Sequence, residues 1–169
     1  MASLSVLPRP LPADQARTAL SGRVVGQLGP GEQFVLWALR QRLHDGDTPS
    51  PAFLHGFRLT VGLARLEPAL AAFEGLFGTL AGHGCRLGLF PLRCACVGTD
   101  ESTVMALVSA AQGGQGARVA ATACRLVQAP GAERLATAAT GFARCLLEAG
   151  LMLSTPSDWL RDGGPGTLH

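Results

Sequence analysis

The apolar residues between positions 66 and 81 recur with alternating steps of four and three along the chain. Steps of this size place side chains on one face of an α-helix, whereas a half-buried strand would alternate apolar and polar residues. Gly and Pro interrupt the other apolar segments at intervals of about one helix length. These patterns predict an all-α fold built from amphipathic helices. The apolar face of this helix contains Leu66, Leu70, Phe73, Phe77 and Leu80.

Start and stop signals define five further helices. A Pro after Gly or Ser marks the first helical turn, because its missing N–H has no partner to lose there. A Gly after the last apolar residue marks the end, because Gly readily takes the left-handed conformation. The predicted helices cover about 30–43, 50–61, 66–81, 100–112, 117–128 and 130–149.

The same periodicity predicts which helical residues are buried. Trp37 is expected in the core, because its neighbours in the first helix are apolar. Cys124 and Cys145 are interpreted as small core residues rather than reactive groups. The predicted buried face of the second helix contains Phe53, Leu54, Phe57 and Val61, and that of the fifth contains Ala120, Cys124 and Val127.

Residues 82–100 separate the two halves of the chain, because their Gly and Pro residues prevent a continuous helix. We predict a single helical domain over 29–153. It is a six-helix bundle in which two three-helix halves are joined by this Cys-containing irregular connector. The prolines near the start predict an extended N-terminal arm over 1–28, and residues 154–169 form a C-terminal tail.

Composition narrows the possible functions. Hydrophobic residues make up 47% of the chain and charged residues 15%, which predicts a weakly charged surface that tolerates self-association. A formal net charge of +2 with scattered Arg residues argues against nucleic-acid binding. The sequence contains no uninterrupted apolar run of about 18 residues, so it predicts no membrane span. Cysteines without a disulfide-framework spacing and the lack of a secretory signal pattern indicate a cytoplasmic protein.

The connector contains one imidazole and three thiols within a short stretch. His83 and Cys85 precede Cys94 and Cys96. If residues 87–92 double back, these four side chains would form a tetrahedral zinc site. With arginines on either side, the same thiols would also suit a redox site. In a third interpretation the cysteines are ordinary buried packing residues.

Aromatic residues suggest two further candidate sites. Trp159 and Leu160 follow a polar, Pro-containing segment of the tail, where they either dock back onto the bundle or anchor a protein partner. A small-molecule pocket between the first three helices is the second candidate, because helical bundles bind ligands between their helices. An ordinary aromatic core explains its residues equally well. These residues are Phe34, Phe53, Phe57 and Phe73.

The sequence contains no recognisable catalytic set of residues. His55 beside a Glu of the third helix is interpreted as a structural pair, and the Gly-rich segment 113–116 lacks the strand and the Lys of a phosphate loop. We therefore expect a non-enzymatic helical interaction or regulatory protein, a homodimer or the binder of a protein partner, with no cofactor. The alternative is a zinc-binding or thiol-redox protein that uses Cys85, Cys94 and Cys96.

Two short segments also resemble a group of known sequences. They are Gly29-Pro30-Gly31-Glu32-Gln33 leading into Leu36-Trp37-Ala38-Leu39-Arg40, and Pro91-Leu92-Arg93-Cys94-Ala95-Cys96 leading into Thr99-Asp100-Glu101. Both resemble segments of small Ala- and Arg-rich helical bacterial proteins of unknown function. The resemblance implies a bacterial cytoplasmic origin and a mostly helical fold, and it brings no activity or binding residues with it.

Overall fold

A computed structural model of the chain describes residues 20–83 and 87–154. This part of the chain is predominantly helical, which confirms the predicted all-α class, and it also contains a small two-stranded sheet. None of the described helices is both long and apolar enough to cross a bilayer. The helices are α1 (Pro30–Asp45), α2 (Pro51–Val61), α3 (Leu66–His83), α4 (Thr99–Gln112), α5 (Gly116–Leu126) and α6 (Ala129–Glu148), with 3₁₀ turns at Val25–Gln27 and Leu63–Arg65.

Local side-chain chemistry sets the ends of the first helices. Ser50 Oγ accepts a hydrogen bond of 3.2 Å from the Phe53 N–H and so caps α2. Glu32 Oε2 accepts one of 2.8 Å from the Gly29 N–H at the start of α1. Gly62, which ends α2, has a φ of 80°, a conformation that other residues rarely adopt. These are the boundaries that the sequence signals predict.

Aromatic rings fill the space between α1, α2 and α3. The ring centroids of Phe53 and Phe57 are 4.7 Å apart, those of Phe57 and Phe73 are 5.3 Å apart, and Phe34 lies 5.0 Å from Phe57. Phe53, Phe57 and Phe73 are fully buried. The four residues of the predicted pocket therefore form one packed cluster, as an aromatic core requires. Ligand binding among them stays a prediction.

Small residues bring α3 and α6 close together. A Cβ added at Gly75 would lie 3.5 Å from the Ala138 Cβ, and one added at Gly141 would lie 3.5 Å from the Ala72 Cβ. These are ordinary van der Waals distances, so the backbones approach as closely as alanine side chains allow. The Ala-rich sequence of α6 thus serves the packing of the bundle.

Part of the predicted N-terminal arm is a β-strand. β1 (Leu20–Val24) pairs antiparallel with β2 (Cys96–Gly98) of the connector, so that Leu20 lies opposite Gly98 and Val24 lies opposite Cys96. The longer strand bulges between these two pairs, where Gly22 has a φ of 76°. A strand as short as β2 shows no alternation in the sequence, which explains why the sheet was not predicted. Residues 1–19 of the arm lie outside the described residues.

Three predicted buried positions are exposed instead. Leu54 on α2 is 41% exposed, and both Ala120 and Cys124 on α5 are exposed. On α5 the buried residues Val119 and Ala123 each precede the predicted one by one position. Alanines surround this helix on several sides, so its hydrophobic pattern does not define the rotation of the buried face. Other expectations hold, since Cys145 is buried and Trp37 packs, partly buried, against the core.

The chain continues past α6 as a segment that packs between α1 and α4. Gln112 fixes this segment with its side-chain amide, which donates to the Leu151 carbonyl and accepts from the Leu153 N–H, both at 2.8 Å. Ser109 Oγ donates to the Ser154 carbonyl at 2.9 Å. The C-terminal tail, of which only residue 154 is described, therefore leaves the described structure from a fixed point.

Candidate functional site

A buried ion pair links α1 to the first turn of α4. Arg40 and Glu101 are 3% and 0% exposed. Arg40 Nε donates to Glu101 Oε1 at 2.7 Å, and Arg40 Nη2 donates to Glu101 Oε2 at 2.8 Å. This bidentate arrangement is the strongest geometry for a guanidinium and a carboxylate. Because both groups lose their water on folding, the pair is tolerated only where further hydrogen bonds complete it.

The Arg40 guanidinium also binds one edge of the connector. It donates to the carbonyl oxygens of Cys94 and Cys96, both at 2.6 Å. The Ala95 carbonyl between them accepts from the Val25 N–H at 2.8 Å on the opposite edge. Successive carbonyls therefore bind partners on opposite sides of the connector, although the strand itself begins only at Cys96. Arg40 therefore satisfies the edge of the connector that has no strand beside it.

The Glu101 carboxylate binds N–H groups of the same connector. It accepts from the Phe90 N–H at 3.0 Å and from the Gly98 N–H at 2.7 Å. The neighbouring Asp100 Oδ2 accepts from the Gly88 N–H at 2.7 Å. The sequence predicts both acids only as helix N-terminal charges, because nothing in it indicates a pairing between residues 61 positions apart.

We call the pair Arg40 and Glu101 the connector clamp. Each carboxylate oxygen of Glu101 accepts two hydrogen bonds, one from Arg40 and one from the backbone. The carboxylate is also inaccessible to solvent, so it has no free position from which to take a proton from a substrate. The clamp therefore acts by holding the irregular connector on the bundle.

The clamp orients two of the predicted metal ligands. Cys94 and Cys96 are free and partly exposed. The strand begins at Cys96, and the backbone bends at Ala95 between the two cysteines, so the extended conformation predicted for both is present only from Cys96 onward. Arg40 holds both of their carbonyls, which restrains the backbone that carries the two thiols.

Of the other two predicted ligands, the structure describes His83, which is not grouped with these two thiols. His83 packs against the start of α6, where a Cβ added at Gly131 would lie 2.7 Å from the His83 Cβ. Within residues 20–83 and 87–154, no three His, Cys, Asp or Glu side chains are grouped to hold a metal ion. Cys85 lies outside the described residues. The site of His83, Cys85, Cys94 and Cys96 therefore stays a prediction.

The two remaining cysteines differ in environment. Cys124 is exposed on α5 and Cys145 is 5% exposed on α6. Burial raises the pKa of the Cys145 thiol, and the nearby negative charge of Glu148 raises it further. Cys145 is therefore a poor nucleophile, because the thiolate is the reactive form.

Two open grooves flank α6. Their volumes are about 610 and 620 Å³, and Ala, Gly and Thr residues make up most of their linings. Glu133 is the one carboxylate in either lining, and neither lining includes a His or Cys. These grooves therefore lack the paired groups that acid–base or nucleophilic catalysis needs.

Large apolar side chains are exposed near the ends of α2 and α6. Leu59 and Leu63 are 72% and 71% exposed, Met152 is 72% exposed, and Leu147 is 38% exposed. Single exposed apolar residues are common, but a group of them on one surface indicates an interaction site. We call Leu59, Leu63, Leu147 and Met152 the apolar end.

Contacts between elements place these residues at the same end of the bundle. α1 and α2 form an antiparallel hairpin, so the start of α1 lies beside the end of α2. A Cβ added at Gly31, in the first turn of α1, would lie 2.7 Å from the Met152 carbonyl oxygen. Arg65 Nε, in the 3₁₀ turn after α2, lies 3.7 Å from Glu148 Oε2 at the end of α6. These contacts connect the ends of α2 and α6 with the segment that carries Met152.

A second buried carboxylate fixes the exit of the tail at this end. Glu32 is 1% exposed, and its Oε1 accepts from Ser154 Oγ at 2.6 Å. Arg23 Nη1 lies 3.5 Å from the same oxygen. Trp159 and Leu160, the predicted interaction residues, follow in the tail and lie outside the described residues.

Comparisons with protein-family models, with curated proteins and with solved structures found no match to this chain. Its function therefore has to be inferred from the side chains and surfaces described above.

Proposed function

We propose that this protein is a non-enzymatic helical interaction protein that forms a homodimer through the apolar end. The observation that carries the proposal is the exposure of Leu59, Leu63 and Met152, each more than two-thirds accessible, at one end of the bundle. Burying such side chains against a partner removes their apolar area from water and favours association.

The buried charges support an interaction role over a catalytic one. Glu101 and Arg40 bind each other and the connector, and Glu32 binds the start of α1 and Ser154. Arg42 binds Glu74 at 2.8 Å and also bonds to the Gly46 carbonyl. These charged groups stabilise the bundle, which leaves its surface as the place where function would reside.

The charges around the apolar end favour a second copy of the chain as the partner. Arg58 and Glu67 are exposed close to Leu59 and Leu63 in the sequence. Arg65 and Glu148 form an exposed ion pair at the same end. With Arg144, which is exposed one turn before Leu147, the surface therefore carries charges of both signs, and two copies related by a two-fold axis can place Arg opposite Glu. A partner that carries charge of one sign would gain little at such a mixed rim.

Replacing Leu59 with Glu tests the proposal. A two-fold interface buries this side chain twice, so the loss is about 3 kcal/mol or more, which is more than a hundredfold in the dimer dissociation constant. Sedimentation velocity over a range of concentrations measures this constant, and circular dichroism verifies that the helices remain. Leu54→Glu is the matched control, because Leu54 is exposed on the same helix outside the apolar end.

If the dimer persists in Leu59→Glu and in Leu63→Glu, the apolar end is not the interface. If the wild type and the control are monomers at all concentrations, the protein does not form a homodimer. A cytoplasmic location is part of the proposal, because the cysteines of the sequence lack a disulfide-framework spacing.

A metal-binding or thiol-redox function of the connector is the second candidate. It is supported by the clamp, which holds the backbone of Cys94 and Cys96 from one guanidinium. Native mass spectrometry of protein purified without chelator tests it. One zinc ion per chain that is lost in the Cys94→Ser/Cys96→Ser variant is the expected result. If wild type and variant bind the same amount of metal, and Cys94 and Cys96 of the wild type react no faster than its other thiols, this function is rejected.

A further inference from the structure

We propose that the C-terminal tail covers the apolar end in the monomer through Trp159 and Leu160 and so weakens self-association. This inference rests on the proposed function of the apolar end. It assigns to that surface an intramolecular competitor, which makes dimerisation dependent on the release of the tail.

The exit point of the tail is the first observation that carries the inference. Ser154 is held by Glu32 in the first turn of α1 and by Ser109 on α4. Two residues earlier, Met152 is itself part of the apolar end. The tail therefore starts at the edge of the surface that it would cover.

The length of the tail brings its large apolar residues within reach. Trp159 follows Ser154 by five residues, which span at most about 17 Å when fully extended. Thr155-Pro156-Ser157-Asp158 has the pattern of a cap and first helical turn, which would present Trp159 and Leu160 next. A Trp and a Leu side by side supply apolar area for a surface of exposed Leu and Met.

The N-terminal arm is a weaker candidate for the same surface. It enters the described structure at Leu20, opposite Gly98 at the start of α4. Arg23 of β1 still reaches the exit of the tail, because its Nη1 lies 3.5 Å from the Glu32 oxygen that binds Ser154. Residues 1–19, however, contain no aromatic side chain, whereas the tail contains Trp159.

Competition by the tail has a calculable effect on the dimer. We call a chain open when the tail does not cover its apolar end. A partner that binds only open chains has an apparent affinity equal to its intrinsic affinity multiplied by the fraction of open chains. If the tail covers the apolar end in about nine chains of ten, both protomers must open, and the dissociation constant rises about a hundredfold. A tethered segment reaches such occupancy readily, because its effective concentration is in the millimolar range.

Two measurements on the full-length chain test the inference. The first compares the dimer dissociation constants of the wild type and of Trp159→Ala/Leu160→Ala by sedimentation velocity. Leu168→Ala is the matched control, because Leu168 lies in the same tail beyond the Gly-rich segment. The second compares the methyl NMR signals of Leu59, Leu63 and Met152 between the wild type and the same double variant. Both proteins are measured as dilute monomers, and Leu43 is the internal control.

A dissociation constant about a hundredfold lower in the double variant, with methyl shifts confined to the apolar end, is the expected result. Unchanged methyl signals and an unchanged constant, in a dimer that Leu59→Glu still disrupts, would overturn the inference and leave the proposed function intact. A weaker dimer in the double variant would also overturn it, since the tail would then belong to the interface. Shifted methyl signals in a chain that never dimerises would support the tail contact and reject the homodimer.

Discussion

Replacing Arg40 with Met should destabilise the fold severely. The variant leaves the Glu101 carboxylate buried without its counter-charge, and it removes the donors for the Cys94 and Cys96 carbonyls. Removing one partner of a buried ion pair costs about 3–5 kcal/mol. Each carbonyl that stays buried without a donor adds about 1–3 kcal/mol, although such costs are not additive. We expect a loss of at least about 4 kcal/mol, which is a large part of a typical folding free energy of about 5–15 kcal/mol.

Two companion variants follow from the geometry of the clamp. Arg40→Lys keeps the charge, but one ammonium group cannot reproduce the fork that reaches the carboxylate and both carbonyls, so it should lose nearly as much as Met. Arg40→Met/Glu101→Leu should also fail to restore stability. Replacing a simple buried ion pair with apolar residues is often neutral, but here the Phe90 and Gly98 N–H groups would lose their acceptor.

Urea unfolding gives these losses as free energies and thermal unfolding gives them as shifts in melting temperature, both followed by circular dichroism. The melting temperature of Arg40→Met should fall by roughly 8–16 °C, given about 2–4 °C per kcal/mol for a chain of this size. Arg65→Met is the control, because its ion pair with Glu148 is exposed and worth no more than about 1 kcal/mol. An Arg40→Met variant within about 1 kcal/mol of the wild type would refute the clamp.

Further predictions concern packing, pH and thiols. Gly56→Ala should destabilise the protein by about 1–3 kcal/mol in thermal unfolding, because the added Cβ would lie 2.8 Å from Trp37 Cζ2. Gly78→Ala, in open space on α3, should instead stabilise by about 0.5–1 kcal/mol. Burial opposes ionisation of Asp45, but hydrogen bonds from Ser50 and Gln41 outweigh it and lower the pKa. Its contribution to stability should therefore be present above about pH 4, the value for an unfolded Asp, and be lost as the pH falls through the lower folded pKa, which unfolding of Asp45→Asn across pH will measure. In thiol titration at pH 8, Cys124 should react at once and Cys145 only on unfolding.

Each of these predictions has a result that would contradict it. Equal stability of Gly56→Ala and Gly78→Ala would show that Trp37 does not lie across α2. A stability difference for Asp45→Asn that grows below pH 4 would reverse the predicted sign. Rapid labelling of Cys145 in the folded protein would show that α6 opens or is rotated.

Local patterns in the sequence predict the helices but not the contacts between distant parts of the chain. The stripe that includes Phe73 and the cap at Ser50 depend on neighbouring residues, so both are visible in the sequence. The clamp joins Arg40 to Glu101, which is 61 positions away in the sequence, and no local signal marks either residue as half of a pair. Cys124 shows a second limit, because uniform alanines leave the rotation of a helix undefined.

The candidate site was predictable in part. The low charge of the chain predicts a surface suited to self-association, but not where that surface lies. The apolar end depends on how α2, α6 and the segment after α6 meet. The sequence leaves Leu59 off the predicted buried face of α2 and Leu63 between two predicted helices, but it does not place either residue at the same end as Met152.

Sedimentation equilibrium of the wild type and of Leu59→Glu/Leu63→Glu tests the central claim most directly. The wild type should rise with concentration from the monomer mass of 17.5 kDa towards twice that mass. The variant should stay at the monomer mass with the same helical content. Equal masses for both proteins across the concentration range would contradict self-association through the apolar end.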